Sequence, residues 1–179
     1  MDLIMAVVVA DGSVENVEKS VESIQRENER IEITVLSRTS ALEVAAWCRE
    51  KEISNSCFDT DISFTKVLAE ILEKSKEDIL LMSSSLTCLP HGIERMQKVL
   101  YQEEKVAAVI PEIVSQDVIA GRKYFKSLSD YAQKQRHGKV KKVVDVRYQA
   151  VLLKKNFLQQ CFADTSLFYP DNVLIDMVV

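Results

Sequence analysis

The sequence predicts an α/β fold, a doubly wound three-layer α/β/α sandwich around a mostly parallel sheet. Short apolar runs rich in β-branched residues recur along the chain, and segments with apolar residues at helical spacing follow them. Strand and helix alternate in this way at least four times before residue 111. Because this alternation makes each helix a crossover between two strands, it predicts parallel strands with helices on both faces of the sheet.

Two strand and helix units come first. Residues 4–10 are continuously apolar, which is typical of a central strand covered on both faces. Polar residues at 11–13 end this strand, and a helix with a buried apolar stripe is predicted after them. That stripe consists of Val14, Val17, Val21 and Ile24. Residues 31–36 predict the second strand, and the Ser-Ala-Leu-Glu sequence at 40–43 predicts a capping box that begins the second helix.

The elements that follow are predicted from the same signals. Residues 53–58 are predicted to form a short third strand with a polar interior, and an apolar stripe from Asp61 onward predicts the third helix. Residues 79–82 form the fourth strand. Pro90 is expected at the first position of the fourth helix, where a missing N–H costs nothing. Residues 106–110 predict the fifth strand.

The loops after the strands are the expected ligand site. In open α/β sheets, ligands bind beyond the carboxyl ends of the strands, near the place where the strand order reverses. We therefore expect the site to be built from loops 10–13, 37–40 and 83–89. No repeat and no linker-like stretch interrupts the chain, so one domain is predicted over residues 1–179.

Composition and charge exclude several classes of protein. The chain has 179 residues with 23 basic and 27 acidic side chains, and its net charge of −4 gives no general reason to bind nucleic acid. The apolar start lacks a basic region and the length of a membrane span, so we predict neither a signal peptide nor a membrane helix. The scattered cysteines predict unpaired thiols in a reducing, cytoplasmic compartment. They are Cys48, Cys57, Cys88 and Cys161.

Common catalytic and phosphate-binding motifs are absent from the sequence. Four glycines, at positions 12, 92, 121 and 138, cannot form a dinucleotide fingerprint or a P-loop. No Gly-x-Ser-x-Gly elbow of an α/β-hydrolase is present. The two histidines, His91 and His137, lie far apart in the sequence and are interpreted as surface or capping residues.

Charge is distributed unevenly along the chain. Residues 1–80 hold 9 basic and 17 acidic side chains, whereas the remainder holds 14 basic and 10 acidic ones. A basic cluster at residues 122–142 contains a single acid, Asp130. This cluster is either a solvated helix face or a surface that holds a pyrophosphate or an acidic partner.

Several segments resemble the family 2 glycosyltransferases. Residues 79–96 are similar to that family's strand, acidic D-x-D turn, proline and helix, and residues 106–114 are similar to the strand and proline that follow. Residues 63–68 stand where the family has a glycine-phenylalanine stretch before a helix. Residues 148–157 resemble its late strand and basic turn, and residues 168–172 stand at its late acidic motif. The likeness covers nearly the whole chain and implies a nucleotide-diphospho-sugar transferase (GT-A) fold.

The resemblance also implies site residues, and the sequence departs from the family pattern at three places. Ser83 and Ser85 occupy the D-x-D positions. Ser37 occupies the position of the aspartate that contacts the nucleobase in the family. Asp171 is the candidate catalytic base, although Asn172 follows it in the second position of the acidic pair. Asp11 remains a candidate nucleotide contact. Serine hydroxyls are poor ligands for Mg²⁺ or Mn²⁺, so no metal is assigned unless other acids supply ligands.

Three functions are compatible with these residues. The leading hypothesis is a family 2-like domain related to sugar transfer from a nucleotide-diphosphate donor, with metal-dependent catalysis impaired or absent. A second is a metal-independent transferase that uses the basic cluster and Asp171, and a third is a non-catalytic interaction or regulatory module of a larger glycosyltransferase assembly. The apolar residues 173–179 are expected to start a helix, so either the chain is truncated or a protein partner covers this end. Structural roles remain open too, since serines often cap strand ends and Asp11-Gly12 is a turn former.

Overall fold

Strand and helix alternate through the molecule as the sequence predicts. The computed structural model describes residues 3–59, 61, 64–102, 104, 106–111 and 149–157. The elements are β1 (Ile4–Val9), α1 (Val14–Glu27), β2 (Glu32–Arg38), α2 (Leu42–Glu50), β3 (Ser54–Phe58), α3 (Phe64–Lys74), β4 (Asp78–Ser83), α4 (Gly92–Gln102), β5 (Ala108–Val109) and β6 (Ala150–Leu153). No described helix is long and apolar enough to cross a membrane.

The strands form one mixed sheet in the order β3-β2-β1-β4-β6-β5. Strands β1 to β4 are mutually parallel, and β1 lies between β2 and β4. Strand β6 pairs antiparallel with β4, and β5 pairs antiparallel with β6. The predicted α/β class with a mostly parallel sheet is therefore confirmed.

Helices cover both faces of the sheet and create two apolar layers. Ala6 and Val8 of β1 pack in the layer formed with α1, α2 and α4. Met5 and Val7 pack in the layer formed with α3. Successive strand residues point to opposite faces, so a strand buried on both sides must be continuously apolar. This is why the apolar run at residues 4–10 predicts the central strand correctly.

Three local predictions differ from the structure. Helix α2 has Ala41 at its N-cap with no side-chain cap, so the predicted capping box is wrong. Helix α4 begins at Gly92 rather than at Pro90, because His91 adopts a left-handed φ of 62° just before the helix. Strand β5 contains only Ala108 and Val109 and is shorter than the predicted run.

Several predictions lie outside the described residues. They concern the basic cluster at 122–142, the acidic motif at Asp171 and Asn172, His137, Cys161 and the last apolar segment at 173–179. They remain sequence-based expectations.

Candidate functional site

The strand order reverses between β1 and β4. From β1 the chain adds β2 and then β3 on one side, and it then returns to place β4 on the other side of β1. The carboxyl ends of these two strands align, since Val9 is the register partner of Ser83. The loops that follow β1 and β4 therefore meet at the point where open α/β sheets bind ligands.

Asp11 and two serines form a hydrogen-bonded cluster at this point. The Ser83 hydroxyl donates to Asp11 Oδ2 over 2.5 Å, and the Ser84 hydroxyl donates to Asp11 Oδ1 over 2.7 Å. The Asp11 backbone N–H in turn donates to Ser84 Oγ over 3.1 Å. Both oxygens of the carboxylate thus have a hydroxyl partner from the end of β4.

Ser85 extends this cluster toward the surface. Its hydroxyl lies 2.5 Å from Ser83 Oγ, and its backbone N–H donates to the same oxygen over 3.1 Å. Ser83 and Ser84 are buried, whereas Asp11 and Ser85 are exposed. The cluster therefore has a buried base and an exposed rim that a ligand can reach.

Backbone hydrogen bonds fix the base of the cluster to the sheet. The Ser84 N–H donates to the Val9 carbonyl and the Ser83 N–H donates to the Gln149 carbonyl, each over 2.8 Å. Short serine side chains at a strand end bond readily to nearby groups, which favours a turn over continued pairing. The structure thus brings together three of the predicted site residues, Asp11, Ser83 and Ser85.

Ser37 occupies a different environment. It lies within β2 with 0% of its surface exposed. Its hydroxyl accepts a hydrogen bond from Asn55 Nδ2 over 3.1 Å and lies 3.7 Å from Cys57 Sγ. These partners belong to β3, so the Ser37 hydroxyl is engaged inside the sheet rather than in the Asp11 cluster.

The cluster does not provide a carboxylate set for a divalent cation. Asp11 is the one acid among its four members, and serine hydroxyls bind Mg²⁺ or Mn²⁺ poorly. Across the described part of the chain, no group of three or more His, Cys, Asp or Glu side chains could hold a metal ion. The described residues of this site therefore do not fit the divalent cation that the resemblance to family 2 glycosyltransferases implies.

Sequence analysis did not single out Ser84, Ser23 or Glu27. The Ser-Ser-Ser sequence marks a turn but does not show which hydroxyls meet Asp11, because that contact joins distant parts of the chain. Ser23 and Glu27 lie on α1 and bond to backbone N–H groups after β4. Nothing in their local pattern distinguishes them from other polar helix residues.

Two of the described thiols lack the features of a reactive cysteine. Cys48 is buried, and Cys57 and Cys88 are half-buried and unpaired. Burial raises the pKa of Cys48 to about 11, and it raises the pKa of Cys88 to about 11 as well. These two thiols are therefore protonated at neutral pH, and a thiol is a far weaker nucleophile than a thiolate.

A separate depression lies at the opposite end of the sheet. Its volume is about 210 Å³, and it opens beside α3 at the amino ends of β2 and β3. Its polar lining consists of Glu32, Thr34, Ser54, Ser56, Glu70, Lys74 and Ser75. This position is remote from the carboxyl ends where the strand order reverses.

Comparison with known proteins shows the fold. The sequence matches no protein-family model and no curated protein. The solved mannosyltransferase PcManGT from Pyrobaculum calidifontis, in complex with GDP-Man and Mn²⁺, is similar with a TM-score of 0.53 at 12% identity. That match covers 66% of this chain and 38% of the mannosyltransferase chain.

A second solved structure matches over more of its length. The 4-diphosphocytidyl-2C-methyl-D-erythritol synthase from Anaerococcus prevotii DSM 20548 has a TM-score of 0.55 at 13% identity. The match covers 97% of this chain and 81% of that protein. These similarities place the chain in the GT-A-like fold shared by nucleotide-sugar transferases and nucleotidyltransferases.

Proposed function

We propose that this chain is a family 2-like glycosyltransferase domain that binds a nucleotide-diphosphate sugar at the carboxyl ends of β1 and β4. Metal-dependent catalysis is impaired or absent in this proposal. The observation that carries it is the contact of Asp11 with Ser83 and Ser84 where the strand order reverses. A single domain over residues 1–179 and a cytoplasmic location belong to the same proposal.

The chemistry of the exposed rim supports a sugar nucleotide as the ligand. A carboxylate accepts hydrogen bonds from ribose or sugar hydroxyls, and Asp11 is exposed at the rim. The exposed Ser85 hydroxyl can donate to a phosphate oxygen. Asp11 and Ser85 are both hydrogen-bonded to the buried Ser83. Ligand binding therefore loses little conformational entropy in ordering these two side chains.

The composition of the cluster supports impaired metal catalysis. A departing nucleotide diphosphate carries charge that transferases of this fold commonly neutralise with a divalent cation. By the resemblance to family 2, Ser83 and Ser85 occupy the positions of the carboxylates that would bind that cation. The Asp11 carboxylate is already bonded to two hydroxyls, which lowers its tendency to act as a metal ligand.

Calorimetric titration of the full chain tests this proposal. We expect micromolar binding of GDP-mannose or UDP-glucose that Mn²⁺ does not strengthen, and at least tenfold weaker binding by Asp11→Ala. Glu22→Ala, which removes an exposed carboxylate from α1, is the matched control and should bind as the wild type does. Absence of binding to both nucleotide sugars would refute the proposal and favour the interaction-module hypothesis. Binding that Mn²⁺ strengthens, accompanied by sugar transfer, would show that the chain has a working metal site and would contradict impaired catalysis.

The base for any residual transfer remains part of the proposal. Asp171 is the candidate from the sequence and lies outside the described residues. If it removes the proton from an acceptor hydroxyl, Asp171→Asn should abolish transfer without weakening donor binding. An unchanged transfer rate would exclude Asp171 from this role.

A further inference from the structure

Helix α1 holds the loop that follows β4. This loop, residues 84–91, is called the β4–α4 loop. Ser23 on α1 is 1% exposed, and its hydroxyl accepts a hydrogen bond from the Cys88 backbone N–H over 2.9 Å. The bond joins residues 65 positions apart in the sequence and fixes the middle of the loop to the helix.

Glu27 fixes the end of the same loop. Its carboxylate accepts hydrogen bonds from the His91 N–H over 2.8 Å and from the Ile93 N–H over 3.3 Å. The N–H groups in the first turn of a helix have no partner within that helix, and the positive end of the helix dipole attracts a carboxylate. Glu27 therefore caps α4 from another helix.

The start of the loop is tied to the strand that precedes α1. Ser84 bonds through its N–H to the Val9 carbonyl and through its hydroxyl to Asp11. All three attachment points thus belong to residues 9–27. Ser85 lies between the first attachment and the one at Cys88, so its position at the rim depends on both.

We propose that Ser23 and Glu27 are positioning residues for the donor site. They act through the β4–α4 loop, which they keep in place so that the Ser84 hydroxyl stays on Asp11 and the Ser85 hydroxyl stays on Ser83. The role in ligand binding rests on the proposed function, whereas the effect on the loop does not. Neither residue is required to touch the nucleotide sugar.

Amide hydrogen exchange measured by NMR on the full chain tests the effect on the loop. We expect the Ser85 N–H, which bonds to Ser83 rather than to α1, to exchange at least tenfold faster in Ser23→Ala and in Glu27→Ala. Glu27→Gln keeps one acceptor oxygen and should give an intermediate rate. If Glu27→Ala does not fold, the exchange rate of the Ser85 N–H in Glu27→Gln tests the proposal instead.

Two matched variants on α1 serve as controls. Ser20 is also buried on α1, and among the described residues its hydroxyl has no hydrogen-bond partner. Glu22 is an exposed carboxylate on the same helix. Ser20→Ala and Glu22→Ala should leave the exchange rate of the Ser85 N–H within twofold of the wild-type rate.

Nucleotide-sugar affinity, measured on the same variants, tests the effect on the site. GDP-mannose or UDP-glucose, whichever the wild type binds, should bind at least fivefold more weakly to Ser23→Ala and Glu27→Ala. Faster exchange confined to Cys88, His91 and Ile93, or unchanged affinity despite faster exchange at Ser85, would overturn the positioning role. If the wild type binds neither nucleotide sugar, the proposed function fails, and the exchange rate of Ser85 alone decides whether α1 positions the loop.

Discussion

At the scale of single residues, the site depends on side chains with short reach. The two carboxylate oxygens of Asp11 accept hydrogen bonds from the hydroxyls of Ser83 and Ser84. Ser85 is linked to Asp11 through its hydrogen bond with Ser83. The resemblance to family 2 glycosyltransferases indicated Asp11, Ser83 and Ser85 but not Ser84. It also indicated Ser37, whose hydroxyl the structure places among β3 partners. The apolar pattern of a strand does not show which residue of a neighbouring strand will hydrogen-bond to a buried hydroxyl.

Introducing a second carboxylate beside Asp11 should create a metal site. Ser85→Asp places a second acid beside Asp11 at the exposed rim, where two carboxylates attract a divalent cation. We expect calorimetry to detect Mn²⁺ binding at least tenfold tighter than in the wild type. Thr87→Asp adds the same charge to an exposed position in the same loop and is the control. Equal tightening by both variants would indicate a general charge effect.

Two buried serines on α1 should differ in their contribution to stability. Ser23→Ala leaves the Cys88 N–H without its acceptor, which should cost about 1 to 3 kcal/mol. Ser20→Ala removes a buried hydroxyl that has no partner among the described residues, so it should be neutral or stabilising. Urea denaturation measures both free energies of unfolding. Similar losses in the two variants would contradict the assigned hydrogen bond.

The buried thiol of Cys48 should make stability sensitive to alkaline pH. Its pKa rises on folding from an ordinary 9.0 to about 11, so the unfolded chain loses its proton first as pH increases. The contribution of this thiol to the free energy of unfolding is therefore complete below pH 9. It falls between pH 9 and 11, by up to about 2 to 3 kcal/mol. Urea denaturation should show the difference between the wild type and Cys48→Ala narrowing over this window. If the free energies of unfolding of the wild type and Cys48→Ala change in parallel with pH, burial of Cys48 does not cause the loss of stability.

At the scale of elements, strong apolar patterns predict the strands and helices well but do not predict where the helices begin. Strands β1 and β4 and helix α1 follow from apolar spacing because burial decides those segments. The starts of α2 and α4 were misplaced because local signals compete with tertiary contacts. The first turn of α4 is capped by Glu27 of another helix, which no local motif reveals.

The end of α2 provides a test of backbone conformation. Glu52 has a left-handed φ of 55°, the Ile53 N–H bonds to the Cys48 carbonyl, and the Glu52 N–H bonds to the Arg49 carbonyl. This is a Schellman motif with a residue other than glycine at its left-handed position. Glu52→Gly should raise the free energy of unfolding by about 0.5 to 1 kcal/mol, because glycine removes the Cβ strain there.

A position in the middle of the same helix is the control for that substitution. Ala46→Gly changes an exposed residue inside α2, where glycine is unfavourable by roughly 1 kcal/mol relative to alanine. Thermal denaturation of the two variants should therefore show shifts of opposite sign. Destabilisation by both glycines would mean that the Glu52 backbone is not strained.

At the scale of the whole molecule, the sequence predicts the parallel part of the sheet better than its edge. Alternating strands and helices require β1 to β4 to be joined by crossovers, so their parallel pairing follows from local patterns. The antiparallel pairs of β6 with β4 and β5 depend on contacts between distant segments, such as Ala108 with Leu153. The reversal of strand order between β1 and β4 is likewise a property of the assembled sheet. It places the Asp11 cluster where a ligand can bind.

NMR titration of the full chain with GDP-mannose and UDP-glucose, in the presence and absence of Mg²⁺, tests the central claim most directly. We predict that the largest amide shifts fall at residues 10–13 and 83–86, and that Mg²⁺ leaves the apparent affinity unchanged. The absence of shifts at those residues, or shifts concentrated in the depression beside α3 at the amino ends of β2 and β3, would contradict the claim.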